Sequence, residues 1–103
     1  MMIYIGNNIS IFIEDIVAIL DARSVLDSKE NKSFINKLID KGCLVNKLDK
    51  EVKTYIICLD RKKNNINGKR RFKLYMSNIL STSLLKRINI KEQDWRKVNG
   101  QCS

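Results

Sequence analysis

Thr54-Tyr55-Ile56-Ile57-Cys58-Leu59-Asp60-Arg61-Lys62-Lys63-Asn64-Asn65-Ile66-Asn67-Gly68-Lys69-Arg70-Arg71-Phe72-Lys73-Leu74-Tyr75-Met76 is the stretch that decides the fold. Thr54 to Leu59 is almost continuously apolar, as in a central strand buried on both faces. Phe72, Leu74 and Met76 alternate with Arg71, Lys73 and Tyr75, the period of a half-buried strand. That alternation predicts Arg71, Lys73 and Tyr75 on the face opposite the core. Asn67-Gly68 supplies a turn signal between the two runs. The expected unit is a long β-hairpin with a cationic tip. From Arg61 to Lys73 there are seven basic residues and no acidic one. Such a block repels itself unless a polyanion neutralises it.

The rest of the composition sharpens this contrast. The chain has 103 residues, enough for one small domain, and a formal net charge of +9. Residues 1–60 carry eight basic and nine acidic groups, a net of −1. Residues 61–103 carry twelve basic and two acidic groups, a net of +10. The positive field therefore belongs to the second half. Isolated lysines such as Lys32, Lys37 and Lys41 read as ordinary solvated surface. A hydrophobic fraction of 44% argues for a folded domain. The modest core expected at this length leaves room for burial by self-association.

Working outward toward the N-terminus, Met2 to Ile5, Ile9 to Ile13 and Ile16 to Asp21 read as short strands rich in β-branched residues. Gly6-Asn7-Asn8 between the first two tolerates positive φ and suits a tight turn. Residues 16–20 are apolar throughout and also admit a helical turn. Asp27 with Glu30 three positions on has the form of a capping box. Phe34, Ile35, Leu38 and Ile39 then fall on one face of a helix over about 28–41, with Gly42 as its natural stop. Cys43 to Val45 reads as a short strand and residues 46–53 as a loop. Toward the C-terminus, Ser81 caps an expected helix over about 81–88 that carries Leu84, Leu85 and Ile88. Lys86 and Arg87 suit either the helix dipole or a phosphate. Residues 89–103 form a polar tail, either a short docked helix or frayed, with Trp95 as a packing anchor. The fold class is α+β: a small, mostly antiparallel sheet with an amphipathic helix and a C-terminal helix.

Chemistry is scarce in this sequence. There is no histidine, and Cys43, Cys58 and Cys102 form no CxxC pair, so neither a zinc site nor a general base is visible. Glu14-Asp15 reads as a solvated turn. The glycines are isolated and build no phosphate-cradling loop. No apolar run approaches the roughly 20 residues needed to cross a bilayer, and no signal peptide is evident. These observations predict a cytoplasmic, non-enzymatic protein with no cofactor, metal or small-molecule substrate. The functional candidates are the cations. Lys62, Lys63 and Lys69 suit point-charge phosphate contacts, Arg70 or Arg71 suits bidentate contacts to guanine or phosphate, and Lys73 completes the phosphate-neutralising set. Lys86 and Arg87 join the candidate set. Weak aromatic interleaving argues against a single-strand stacking platform.

Two segments resemble the bacterial extracellular-matrix regulator family, the RemA/RemB group, and its RemB branch in particular. One is Tyr4-Ile5-Gly6 with Ile9, Ile11 and Asp15-Ile16-Val17-Ala18-Ile19-Leu20-Asp21. The other is Tyr75-Met76-Ser77-Asn78-Ile79-Leu80-Ser81-Thr82-Ser83-Leu84-Leu85-Lys86-Arg87. The likeness spans about residues 2–88 and implies a single domain over 1–88, with 89–103 as a polar C-terminal tail. It implies a small α+β domain assembled into ring-like homo-oligomers. In the RemA branch such rings bind DNA and activate biofilm-matrix genes, on an architecture similar to LytTR-type DNA-binding domains. Two departures stand out. Asp15 occupies a basic DNA-contacting position of that branch. Glu51 and Val52 replace its arginine pair, with Lys50 and Lys53 nearby. The branch's DNA-contacting residues are therefore not carried over, and the 61–71 hairpin either compensates for them or is a lineage-specific insertion. The expected function is a DNA-binding transcriptional regulator acting as a homo-oligomer. The alternative is an oligomeric scaffold whose basic hairpin meets an acidic protein or an anionic membrane surface.

Overall fold

The computed structural model describes residues 1–62 and 71–99, with 91–99 as backbone only. The expected Asn67-Gly68 turn and the tail beyond Asn99, including Cys102, lie outside the described residues, as does the side chain of Trp95. The elements run β1 (Met2–Gly6), β2 (Ile9–Phe12), a 3-10 turn (Ile13–Asp15), β3 (Ile16–Asp21), α1 (Ala22–Leu26), α2 (Lys29–Asp40), β4 (Thr54–Leu59), β5 (Phe72–Ser77) and α3 (Ser81–Asn99). This is the expected α+β class, with the strands divided between two antiparallel sheets: β1-β2, and β3-β4-β5 with β4 in the centre.

The central strand organises the interior. Pleating sends Ile57 to one face of the larger sheet and Ile56 and Cys58 to the other. On the first face Ile57 and Leu74 pack with Val25 of α1 and Ile35 and Leu38 of α2. On the second face Ile56, Cys58 and Tyr75 pack with Ile3, Ile5 and Ile11 of the small hairpin and Leu84 of α3. The sheet is thus covered on both sides. This corrects the alternation reading of β5: Tyr75 is buried, only 8% exposed, because β1-β2 and α3 cover the face that the pattern assigned to solvent. Burying each such aliphatic or aromatic side chain is worth about 1.5–3 kcal/mol, so two layers beneath one strand dominate the stability of a domain this small.

Local geometry follows the chemistry of the chain. Asn7 and Asn8 both take positive φ between Gly6 and Ile9, the conformation that a two-residue hairpin demands. Gly6 also has φ +99°, and a Cβ there would meet Asn78 Oδ1 at 2.6 Å. The helix expected from a cap at Asp27 is capped one residue later. The Asn31 amide donates to Ser28 Oγ at 3.3 Å, and that hydroxyl donates to Glu30 Oε2 at 3.2 Å. At its far end the Cys43 amide donates to the Leu38 carbonyl and the Gly42 amide to that of Ile39, a Schellman closure. Of the apolar stripe, Ile35 and Leu38 are buried and Phe34 is exposed. The short helix α1 had no sequence signal. The C-terminal helix continues from Ser81 to Asn99, well past Ile88, because no Gly or Pro interrupts that span and Lys, Glu, Gln and Arg all extend a helix readily.

Buried hydroxyls tie the layers together. Ser77 Oγ donates to the Ile5 carbonyl at 2.7 Å and accepts from the Ile79 amide at 3.0 Å. Thr54 Oγ1 donates to the Ile79 carbonyl at 2.6 Å. The outer edge of β5 is closed by the segment expected to be a fourth strand, which makes a single parallel bridge, Leu44 to Leu74. Beyond it the Asn46 side chain imitates a strand. Its Nδ2 donates to the Met76 carbonyl and its Oδ1 accepts from the Met76 amide, both at 2.9 Å. Replacing Asn46 with Ala removes both bonds and is expected to lower stability by about 1–3 kcal/mol, while Asn46→Asp, which keeps only the acceptor, falls between. Chemical denaturation of the two variants checks the order.

Candidate nucleic-acid interface

The basic hairpin emerges from a structured neck. Asp60, the residue after β4, is 8% exposed. Its amide donates to the Arg71 carbonyl at 2.9 Å, closing the ladder one step beyond the strands. Its Oδ1 accepts from the Lys62 amide at 3.1 Å. The acid is turned inward, while the side chains of Lys62 and Arg71 are exposed on either limb. Lys63, Lys69 and Arg70 lie outside the described residues.

The remaining candidates do not form one surface. Lys73 is half-buried and pairs across the sheet with Cys58, so it faces the second core layer and not the open hairpin surface. Lys86 and Arg87 are exposed on α3. That helix follows the Ser77 end of β5, a strand length of about 17–20 Å from the neck. Arg87 Nη1 donates to the Tyr4 carbonyl at 3.2 Å, which docks α3 against β1. Its guanidinium thus has a structural task, distinct from both roles that the sequence offered.

Sequence reasoning missed the pairing at the foot of the hairpin. Arg61 Nε donates to Asp15 Oδ1 at 2.5 Å across 46 residues of chain. The Asp15 side chain is 17% exposed and that of Arg61 67%. The acid-free run is therefore partly neutralised from the 3-10 turn, whose carboxylates the sequence presents as solvated. Glu14, beside it, accepts from the Met1 ammonium at 2.7 Å, and that hydrogen bond holds its carboxyl below the usual range. No sequence spacing announces either contact, because both join segments far apart in the chain.

Next to this neck lie two grooves that share Phe12, Asp15, Leu59 and Lys73. The first, about 210 Å³, is also lined by Met2, Ser10, Ile11, Cys58 and Tyr75. The second, about 350 Å³, is also lined by Glu14, Arg61 and Lys62. Burial, reinforced by the Asp15 carboxylate, pushes the Cys58 thiol up to about 12. Burial likewise raises the Tyr75 phenol, with Cys58, Asp60 and Asp15 adding to it. Cys58 is thus a neutral, inert thiol at ordinary pH and no nucleophile. Among the described residues no group of three or more His, Cys, Asp or Glu side chains is placed to hold a metal. Among them, too, no helix is long and apolar enough to cross a membrane.

No protein-family model matches this chain. No curated protein matches it. No solved structure matches it.

The raised thiol has a consequence for stability. A group whose pKa is higher folded than unfolded stabilises fully below its unfolded value and loses that contribution as pH climbs to the folded one. For Cys58 this window runs from its ordinary 9.0 to about 12. Thermal unfolding followed across that range is expected to show a falling alkaline limb that is shallower in Cys58→Ala, even though the variant is less stable near neutrality.

Proposed function

We propose that this chain is a non-enzymatic, DNA-binding transcriptional regulator of the extracellular-matrix regulator type, acting in the cytoplasm as a homo-oligomer through its basic hairpin. The observation that carries this reading is the charge arrangement at the neck. Asp60 is buried and engaged with backbone, so the exposed side chains on the two limbs, Arg61, Lys62 and Arg71, are all cationic, and the exposed Glu14 beside them is held by the Met1 ammonium. The tip adds Lys63, Lys69 and Arg70 from the sequence. Phosphate neutralisation by such a set needs no base-specific geometry and gains from repetition, since copies in an oligomer add by avidity. Of the candidate cations, Lys62, Lys63, Lys69, Arg70 and Arg71 remain the DNA-facing set. Lys73 and Arg87 are set aside because one faces a groove and the other docks a helix, and Lys86 because it stands on α3, away from the neck. Arg61 enters as a conditional member that Asp15 holds.

Binding to a duplex DNA pool is expected to weaken steeply with salt. Joint charge reversal, Lys62→Glu with Arg71→Glu, is expected to flatten the log–log salt slope by about 2, near 0.9 for each phosphate that is no longer neutralised. Asp15→Asn, which releases Arg61, is expected to steepen it by about 1 at a stability cost of no more than about 1 kcal/mol, since Arg61 is largely exposed. Titrations at several salt concentrations, with native mass measurement of assembly, read both effects. Binding indifferent to charge reversal overturns the reading. Retained oligomers that shift no DNA at low salt favour instead a scaffold whose hairpin meets an acidic protein or an anionic membrane surface.

A further inference from the structure

Beside the neck, two polar groups face the same cavity with no partner among the described residues. Tyr75 is 8% exposed, yet among those residues its hydroxyl makes no hydrogen bond. Buried hydroxyls are almost always satisfied, so one that is not calls for a water or a ligand. Two positions earlier on β5, and therefore on the same face of the sheet, Lys73 is half-buried and forms no ion pair among the described residues. Two carboxylates share the groove walls with it, and each is already engaged: Asp15 by Arg61 and Glu14 by the Met1 ammonium. The Lys73 ammonium is thus left without an ion pair among the described residues, at residues that the two grooves share. The rest of the inner groove is lined by Met2, Ile11, Phe12 and Leu59, with Ser10 and the Cys58 thiol among them. The inner groove, about 210 Å³, has room for about seven waters, and so for a ring-sized molecule.

We infer that this cavity is a binding site for a small organic anion with an apolar body, of the aromatic carboxylate class. The carboxylate accepts from Lys73 Nζ and from the Tyr75 hydroxyl, and the ring lies against Ile11 and Phe12. A carboxylate suits the pair because it offers two acceptor oxygens to a charged and a neutral donor. The raised Tyr75 phenol is consistent with this, since a protonated hydroxyl remains a donor across the whole physiological range. An inorganic anion would leave the apolar walls unused, and a neutral ring would leave Lys73 unpaired. The inference stands apart from the DNA reading, because it uses a lysine removed from the DNA-facing set and predicts binding in the absence of nucleic acid.

The test is a titration of the isotopically labelled full chain with sodium benzoate, followed by amide chemical shifts, alongside acetate and benzyl alcohol. Benzoate is expected to give saturable shifts centred on Phe12, Leu59, Lys73 and Tyr75, while neither control saturates over the same range. Lys73→Met, which keeps the apolar stem and deletes the charge, is expected to weaken benzoate binding by at least about tenfold. Tyr75→Phe, which keeps the ring in the core, is expected to weaken it by about threefold to tenfold. Each variant is scored only if its thermal unfolding remains cooperative, and Tyr75→Phe serves if Lys73→Met fails to fold. Absence of saturation by benzoate overturns the proposal. So does saturation left unchanged by the substitutions, or equal saturation by benzyl alcohol.

Discussion

The structure depends on β4 being buried on both faces. A strand that sends Ile56 and Cys58 one way and Ile57 the other needs a cover on each side, and a chain of 103 residues has few elements to supply them. The two short helices after β3 cover one face, and the β1-β2 hairpin with the start of α3 covers the other. Every other element is placed by that requirement. β3 and β5 flank β4 as its antiparallel neighbours, β5 in continuous register and β3 with a shift between Ile16 and Ala18. Ser77 and Thr54 bind across to Ile5 and Ile79 because the chain must cross between layers there, and backbone groups at a buried crossing need partners.

The same constraint fixes where the hairpin stands and what surrounds its foot. β4 and β5 leave the core together at Asp60 and Arg71, and the bond between their backbones carries the ladder to the edge of the packed region. At that edge the 3-10 turn after β2 brings Asp15 alongside. Its carboxylate takes one arginine out of the basic block, and Lys73 beside it forms no ion pair among the described residues. Charge at this end of the molecule is consequently sorted by depth. Asp60 lies inside, Asp15 and Lys73 lie at the boundary, and Lys62 and Arg71 stand in solvent.

Much of the fold was legible because local rules and tertiary demands agreed. Gly6-Asn7-Asn8 had to turn, Gly42 had to end a helix, and the apolar run from Thr54 to Leu59 had to be interior; each is so. The failures occur where a distant segment decides. The alternation Arg71, Phe72, Lys73, Leu74, Tyr75, Met76 has period 2 whether one face of the strand is covered or two, so it cannot report that β1-β2 lies over Tyr75. The hydroxyl made that tyrosine look suited to solvent, while its ring made it suited to a core. Likewise a run of residues without acids says nothing of an aspartate 46 positions upstream. The helix from Ser81 overran its expected end because polar residues after Ile88 suggested a tail, although polarity does not end a helix; Gly or Pro does.

These misreadings bear on the site more than on the fold. A count of cations treats Arg61, Lys62, Arg71, Lys73 and Arg87 as equivalent, whereas the structure gives them four different situations. Arg61 is paired with an acid, and Arg87 is engaged by a backbone carbonyl. Lys73 is half-buried beside an unsatisfied phenol. Of these five, only Lys62 and Arg71 stand exposed with neither an acid nor a carbonyl at their head groups among the described residues. Electrostatic attraction to a polyanion is set by cations that give up little on binding, because one that must first leave a carboxylate or a carbonyl loses part of what it gains. The positive surface that these five cations offer is therefore smaller than their number suggests. A lysine kept from that surface by its depth is better matched to a small partner that can enter the groove than to a duplex that cannot.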